Sequence, residues 1–349
     1  MHLLESAGII LLLLMTILFG VKKVPYNSTG FDCMSLDNTM PIRGILAIIV
    51  LLHHLSSYYL EFSFISPFKH VGYIAVALFF FLSGYGLSWG YQHKQNYLKN
   101  FLIKHILRLY IPYLICVGVY VVSIGIINRS FPTLSDILLS LIFLDQTNPV
   151  GWYVGELILF YIVFYISFSF TGKKRIIVFS ILYCLLIVGL LLTPVKDIWT
   201  RSIIGFPMGM ILYFKRQQID RLILKKYILS IIVSFCIFAL GVLVKILGEI
   251  HVVFSVKLCG NTISCLGSII VLYCILLKLR FGNKFLRFFG SLSYEIYLYH
   301  VLLLTILISN SFIKEHSLAC FCLVLTSTIL ISYVVHKINV LSTSFLKRL

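Results

Sequence analysis

Long apolar stretches separated by short polar segments dominate the chain. A transmembrane helix needs about 20 apolar residues, since each residue rises about 1.5 Å through a hydrocarbon core of about 30 Å. Eleven stretches meet or approach this length: 3–21, 43–60, 71–91, 109–127, 151–171, 176–194, 200–214, 227–247, 260–278, 291–309 and 317–336. The pattern predicts an all-α fold, a polytopic transmembrane helical bundle of about ten to eleven spans.

The polar segments between these stretches are too short to form a soluble domain. Residues 92–108 have apolar positions at helical spacing among cations, which predicts a helix lying on the membrane surface. Residues 1–21 lack the basic start and the small-residue cleavage site of a signal peptide, which favours a retained helix. Residues 1–42 are therefore interpreted as an added N-terminal transmembrane helix with a cytoplasmic connection, and 43–349 as the membrane domain, with no soluble domain.

Composition supports a membrane protein, and the distribution of charge argues against nucleic acid as the partner. Hydrophobic residues make up 60% of the chain and charged residues 12%, against about 45–50% and about 25% in soluble domains. The net charge is +17, but 22 of the 29 lysines and arginines fall on one side of the predicted spans. This is the positive-inside distribution. It predicts a multi-pass cell-membrane protein with its N-terminus outside, its C-terminus in the cytoplasm and Arg43 at the cytoplasmic face.

The nine cysteines are scattered through the spans and form no pair or cluster with zinc-ligand spacing. We therefore expect neither a metal site nor a disulfide. In the third stretch, Gly84, Gly86 and Gly90 provide small surfaces for close helix packing.

Two polar residues of the second stretch, Arg43 and His54, point to a functional site. Eleven helical steps make about three whole turns, so both side chains lie on one face, about 16 Å apart along the axis. A permanent cation and a titratable imidazole on one stripe are costly to bury in a membrane without a purpose. A lone intramembrane histidine could simply bond a neighbouring helix, but His54 is also followed by a polar cluster at 56–59. His53 points about 100° away from the stripe.

Four stretches, in order along the chain, resemble motifs of acyltransferase family 3, the integral-membrane O-acyltransferases of surface glycans. The segment from Arg43 to His54 is similar to the family's Arg/Lys-x10-His motif. The other three are VALFFFLSGYGLS at 76–88, KHILRLYIPY at 104–113 and SLSYEIYLYH at 291–300. A looser match, GWYVGELILFYIVF, covers 151–164. Together these stretches extend the resemblance over roughly 40–340.

Two of the matching segments depart from the family pattern. The cytoplasmic motif keeps Arg108 but has Lys104 in place of an arginine, and Ile111 is inserted before Pro112. Because lysine cannot bind a phosphate bidentately as arginine does, we expect weaker contact with the donor here. Glu156 falls one position earlier than the glutamate of the family's Val-Glu pair, so no role is transferred to it on that basis.

The resemblance implies an acyl-CoA donor, usually acetyl-CoA, in the cytoplasm and a sugar hydroxyl of a cell-surface glycan as acceptor outside. Transfer to a hydroxyl needs a base near the operating pH, and histidine is the usual choice. We interpret His54 as that general base, with a transient acyl carrier as the alternative. Candidate donors to the developing oxyanion are Arg43, Ser83 and Tyr58.

Lys99, Lys104 and Arg108 are candidate ligands for the CoA phosphates, although topological anchoring alone would also place cations there. His300 and Glu156 are candidate lining residues of the substrate cavity, because polar groups inside spans need a partner.

Trp152 and Glu295 each have a structural interpretation as well. Trp152 suits either the aromatic belt at the membrane interface or a substrate contact. Glu295 is expected to cap its helix or to pair with Lys284 or Arg287.

The residues, together with what the resemblance implies, predict a membrane O-acyltransferase that acetylates an envelope or capsular polysaccharide in a bacterium. The rival hypothesis is a transporter or flippase of a lipid-linked or polymeric glycan. The chain shows no internal repeat and no paired broken helices of the kind common in transporters. Binding of acyl-CoA would discriminate between the two.

Overall fold

The computed structural model describes residues 2–24, 32–58, 63–144, 150–194, 196–309 and 317–344. Within these ranges the α-helices, in the order of the chain, are α1 (His2–Leu18), α2 (Leu36–Tyr58), α3 (Gly72–His93), α4 (Phe101–Asn128), α5 (Leu134–Leu141), α6 (Gly151–Phe168), α7 (Gly172–Leu191), α8 (Lys196–Thr200), α9 (Gly205–Lys225), α10 (Tyr227–Ile250), α11 (Phe254–Lys278), α12 (Lys284–Ser291), α13 (Ser293–Ile308) and α14 (Ser317–Ser342). A 3₁₀ helix, Ser63–His70, precedes α3. Two short strands, β1 (Val21–Lys23) and β2 (Leu279–Phe281), pair antiparallel with Lys22 opposite Arg280.

The all-helical membrane class is confirmed, but fewer helices qualify as spans than the ten to eleven predicted. Among the described residues, eight helices are long and apolar enough to cross a membrane, or nine if α12 and α13 form one broken span. Helix α1 has only 17 residues. Helix α9 begins apolar but carries charged residues through its second half, from Lys215 onward.

The prediction of a surface helix over 92–108 is wrong. Helix α3 ends at His93, and a turn-rich segment leads to Phe101, where α4 begins and continues to Asn128. Asn96 and Asn100 both adopt left-handed backbone conformations, which asparagine tolerates better than most residues. The cations at 104–108 therefore belong to the first turns of a long membrane helix.

The chain forms two compact units. The first contains Met1–Ser57, Ser63–Gln95 and Leu190–Ser293, and the second contains Tyr58–Phe62, Asn96–Gly189 and Tyr294–Leu349.

Close backbone contact between helices, permitted by glycine, organises the first unit. A methyl group added at Gly84 of α3 would collide with the Phe206 carbonyl of α9, and one added at Gly209 of α9 would collide with the Phe81 carbonyl of α3. Between α2 and α12, Gly44 and Gly290 make a similar reciprocal contact. Such approaches suit helices in lipid, where packing and not the hydrophobic effect drives association.

Aromatic rings fill the core of the second unit. Phe101 and Tyr113 of α4 and Phe160 and Phe164 of α6 are essentially inaccessible to solvent. The Tyr113 hydroxyl donates to the Ser140 carbonyl at 2.6 Å, which attaches the end of α5 to α4.

We predict that Gly84→Ala destabilises the protein whereas Gly86→Ala, two residues further along the same helix, does not. The first substitution forces α3 away from α9, and overpacking of this kind costs about 1–3 kcal/mol. Nothing lies within 4 Å of a methyl group at Gly86. The measurement is the temperature at which the detergent-solubilised protein loses its monodisperse elution peak. Equal temperatures for the two variants would contradict the packing argument.

Candidate functional site

Arg43 and His54 lie on one uninterrupted helix, α2, in the first unit. Both side chains are half-buried. The start of this helix is held by Asn38, whose amide donates to the Cys33 carbonyl at 2.9 Å and whose oxygen accepts from the Phe281 backbone N–H at 2.7 Å. Because the helix continues to Tyr58, the two side chains keep the common stripe that their spacing predicts. The Tyr58 side chain itself lies outside the described residues.

His53 has a structural environment of its own beside His54. Its Nδ1 is 3.2 Å from the Phe68 carbonyl, which can only accept, so this nitrogen carries the proton. Its ring occupies the space that a side chain at Gly72 would need. The two imidazole rings meet at 5.0 Å between centroids, with an interplanar angle of 66°. These contacts therefore fix the His53 ring, which lies next to His54.

A group of charged residues that the sequence reasoning missed lies near this histidine pair. Arg201 is within electrostatic range of His53. Its guanidinium lies 3.3 Å from Asp197, which also accepts from the Lys257 ammonium at 2.9 Å. Asp197 lies on α8 and Arg201 follows its last residue, and their separation of four residues was the signal available in the sequence.

Lys245 of α10 is a buried cation in the same unit. Its side chain is only 9% exposed, and the ammonium lies 3.4 Å from Glu249 and 4.9 Å from the centre of the Tyr73 ring. The Tyr73 hydroxyl in turn bonds Ser264 at 2.8 Å. A lysine inside an apolar run, four residues before a glutamate, is the pattern that could have revealed this pair.

Arg216 of α9 is the centre of the most extensive polar network in the described part of the first unit. The guanidinium lies 2.7 Å from Asp32, donates to the Tyr85 hydroxyl at 2.9 Å and reaches the Cys33 sulfur at 3.4 Å. On its own helix it lies 3.7 Å from Asp220. Arg216 thereby joins the segment that precedes α2 to helices α3 and α9.

Helix α11 joins this network through Tyr273, whose hydroxyl donates to Asp220. Cys33, the thiol next to Arg216, is only 2% exposed. Burial raises the pKa of this thiol to about 11, and the nearby Arg216 charge offsets part of that effect. The segment leading into α2 is therefore held by ionic and hydrogen-bonding contacts outside α2 itself.

Ser83, the remaining candidate of the first unit, is half-buried on α3 beside the packing residue Gly84. The structure therefore assigns Arg43, His54 and Ser83 to the same compact unit.

In the second unit, the two predicted lining residues Glu156 and His300 both lie near Tyr297. Glu156 is fully buried and His300 is 1% exposed. The Tyr297 hydroxyl is within electrostatic range of the Glu156 carboxyl, and its ring centre lies 5.9 Å from that of His300. Nδ1 of His300 is 2.9 Å from the Ile296 carbonyl, so this nitrogen is the protonated one. The arrangement is a buried polar region inside an apolar bundle.

The predicted phosphate ligands lie at the beginning of α4, also in the second unit. Lys99 and Arg108 are exposed and Lys104 is half-buried. None of the three forms an ion pair within the described ranges, and the first turn of α4 contains no acidic residue. Lys99 and Lys104 lie at the positive end of the α4 macrodipole and Arg108 lies one turn further, and no acidic residue of the first turn offsets their charge.

The expectation that Glu295 pairs with Lys284 or Arg287 is wrong. Its carboxylate lies 3.0 Å from Nδ1 of His336 and accepts from the Asn339 amide at 3.1 Å. Arg287 pairs with Asp37 at 2.9 Å instead. These partners lie on other helices, far along the chain, where no local pattern indicates them.

Comparison with known proteins decides the class of this chain. The family model described as an acyltransferase domain, of acyltransferase family 3, matches residues 42–337. The chain belongs to this family. No curated protein and no solved structure matches the chain. The protein is thus a membrane acyltransferase, and the motifs seen in its sequence lie within the matched region.

We predict that Arg216→Gln increases the rate at which N-ethylmaleimide labels Cys33 by about tenfold. Losing hydrogen bonds to a charged group costs about 1.5–3 kcal/mol, and that cost appears as more frequent local opening of the segment around Cys33. Quantitative mass spectrometry of the peptide that contains Cys33 measures the rate. Arg221→Gln, an exposed arginine on the same helix, is the control. An unchanged rate in Arg216→Gln would show that the network does not hold this segment.

Proposed function

We propose that this acyltransferase moves an acetyl group from cytoplasmic acetyl-CoA to a sugar hydroxyl of an envelope or capsular polysaccharide, with His54 as general base. The observation that carries the proposal is the alignment of Arg43 and His54 on one continuous membrane helix, about three turns apart. A cation near one end of the helix and an imidazole about 16 Å further along suit a donor that enters from one face and reacts at depth.

The chemistry follows from these roles. His54 takes the proton of the sugar hydroxyl while the hydroxyl oxygen attacks the thioester carbonyl. The carbon–sulfur bond then breaks, and the departing CoA thiolate receives the proton from the imidazolium. Ser83 and Tyr58 are the proposed donors to the carbonyl oxygen as negative charge develops on it, and Arg43 attracts the anionic donor. The contacts between His53 and Phe68 support this assignment, because they give His53 a structural role and leave His54 as the proposed base.

The basic start of α4 is the proposed site for the phosphates of CoA. Lys99, Lys104 and Arg108 have no carboxylate partners among the described residues, and phosphate groups would neutralise both these charges and the helix terminus. This assignment requires the basic segments to face the cytoplasm, with the N-terminus outside and the C-terminus inside the cell membrane. Glu156 and His300 are the proposed lining of the acceptor path in the second unit.

We predict that His54→Ala lowers acetyl transfer at least about a hundredfold, the minimum usually contributed by a general base. Inverted membranes receive radiolabelled acetyl-CoA, and label in envelope glycan is counted. His251→Ala, which removes an exposed imidazole of the same unit, should transfer normally. Full transfer by His54→Ala would refute the mechanism. No transfer by the wild type, with intact protein present, would favour another acyl donor or the transporter hypothesis.

We further predict that the double substitution Lys104→Gln and Arg108→Gln raises the KM for acetyl-CoA by about tenfold. The loss follows from removing two charge-assisted contacts, each weakened by solvent because Arg108 is exposed and Lys104 is half-buried. Initial rates at varied acetyl-CoA concentration provide the measurement. Lys173→Gln with Lys174→Gln removes two cations at the start of α7 and should leave this KM unchanged. If both pairs raise it equally, the effect is a general surface potential and not a phosphate site.

A further inference from the structure

A cavity of about 380 Å³ lies within the second unit, between the end of α4 and α5. This volume falls in the range of small-molecule binding sites. Its lining combines an apolar part with two aromatic rings and several uncharged or anionic polar groups. The apolar part consists of Val117, Val121, Ile124, Pro132 and Ile137, and the aromatic and polar residues are Tyr120, Asn128, Ser130, Phe131, Asp136 and Ser140. No lysine or arginine is among its described lining residues.

The cavity walls are built by specific local contacts. Arg129 adopts a left-handed conformation after α4, and the Ser130 backbone N–H then donates to the Gly125 carbonyl at 3.1 Å. This turn folds Phe131 back onto α4, where its ring occupies the space beside Gly125. The opposite wall is held by the bond from the Tyr113 hydroxyl to the Ser140 carbonyl. The cavity is therefore a built feature of this segment.

Asp136 provides an anionic acceptor at the edge of the cavity. Thr133 donates to Oδ2 of Asp136 from its hydroxyl at 2.7 Å and from its backbone N–H at 3.0 Å, which forms the capping box of α5. The Thr133 hydroxyl, followed by its backbone N–H, lowers the pKa of Asp136 below its ordinary value. The carboxylate is thus ionised at neutral pH and has further lone pairs to accept hydrogen bonds.

Phe131 provides an apolar surface next to these polar groups, with 65% of its area exposed. A sugar ring has hydroxyl groups around its edge and an apolar face of C–H groups. The hydroxyls can donate to a carboxylate and bond the Asn128 amide and the Ser130 hydroxyl, while the apolar face stacks on an aromatic ring. The absence of cations from the described lining argues against a phosphate or another anionic headgroup as the occupant.

We propose that this cavity binds a sugar unit of the acceptor glycan, with Phe131 stacking on the ring and Asp136 accepting from its hydroxyls. The proposal rests on the proposed function, in which the acceptor approaches from outside. It also agrees with the predicted topology: with the N-terminus outside, the segment that follows the fourth predicted span, 109–127, lies on the outer side. Asn128 and Ser130 complete the set of groups that select a neutral, hydroxyl-rich ligand.

The kinetic test uses Phe131→Ala and Asp136→Asn in the full-length protein. The second variant keeps an oxygen that can accept from Thr133, so the α5 cap is retained. Each variant should raise the KM for envelope glycan by about tenfold and leave the KM for acetyl-CoA unchanged. Asp136→Asn loses a charge-assisted contact, and Phe131→Ala loses the stacking surface. The control is Leu138→Ala, an exposed residue of the same helix outside the cavity lining. Unchanged glycan KM values, or the same rise in Leu138→Ala, would overturn the proposal.

A binding measurement separates this proposal from the proposed function. Saturation-transfer NMR detects oligosaccharide released from the envelope glycan when it binds the solubilised protein, without any transfer reaction. Binding by the wild type that Phe131→Ala loses would support the cavity, even if no acetyl transfer occurs. If transfer occurs but both variants bind the oligosaccharide like the wild type, the sugar site is refuted while the acyltransferase mechanism stands. A saturation-transfer signal from detergent acyl chains alone, with none from the sugar, would refute the sugar site and indicate a lipid occupant.

Discussion

A polar side chain buried among membrane helices needs a partner within the protein, and this constraint determines the arrangement of charged residues in both units. In the first unit the Arg216 guanidinium finds its partners in Asp32, Tyr85 and Cys33. In the second unit the Glu295 carboxylate finds them in His336 and Asn339. Each group connects segments that are distant in sequence, so the same contacts that satisfy a charge also fix helices against one another.

Close helix packing supplies the rigidity that these polar contacts need. Gly84 and Gly209 bring the backbones of α3 and α9 together, and Gly44 and Gly290 do the same for α2 and α12. Helix α2, which carries Arg43 and His54, is thereby constrained in the first unit both by packing and by the hydrogen bonds of Asn38. A base that must meet two substrates benefits from such a support, since small displacements of a catalytic group are costly.

The helical class and the alignment of Arg43 with His54 could be predicted because they depend on local spacing and composition, whereas the family followed from the resemblance of four ordered motifs. Fewer helices of the described residues qualify as spans than predicted, since α1 has only 17 residues and the apolar part of α9 runs only from Gly205 to Phe214. The partner of Glu295 was missed because His336 lies 41 residues away and no local pattern links them. Asp32 and Arg216 are likewise distant in sequence, whereas Lys245 and Glu249 form an i,i+4 pair that sequence inspection can find.

The pairing of β1 with β2 has a consequence for the biosynthesis of the protein. β1 follows directly after the first helix, but its partner strand, at 279–281, lies about 260 residues further along the chain. Asn283, which donates to the Thr16 carbonyl of α1 at 2.7 Å, is made later still. Translation proceeds from the N-terminus, so the 3₁₀ helix that contacts α1 is made early, whereas β2 and Asn283 are made much later. The contacts that this part of the chain makes through β1 and the Thr16 carbonyl therefore form only after most of the first unit has been synthesised.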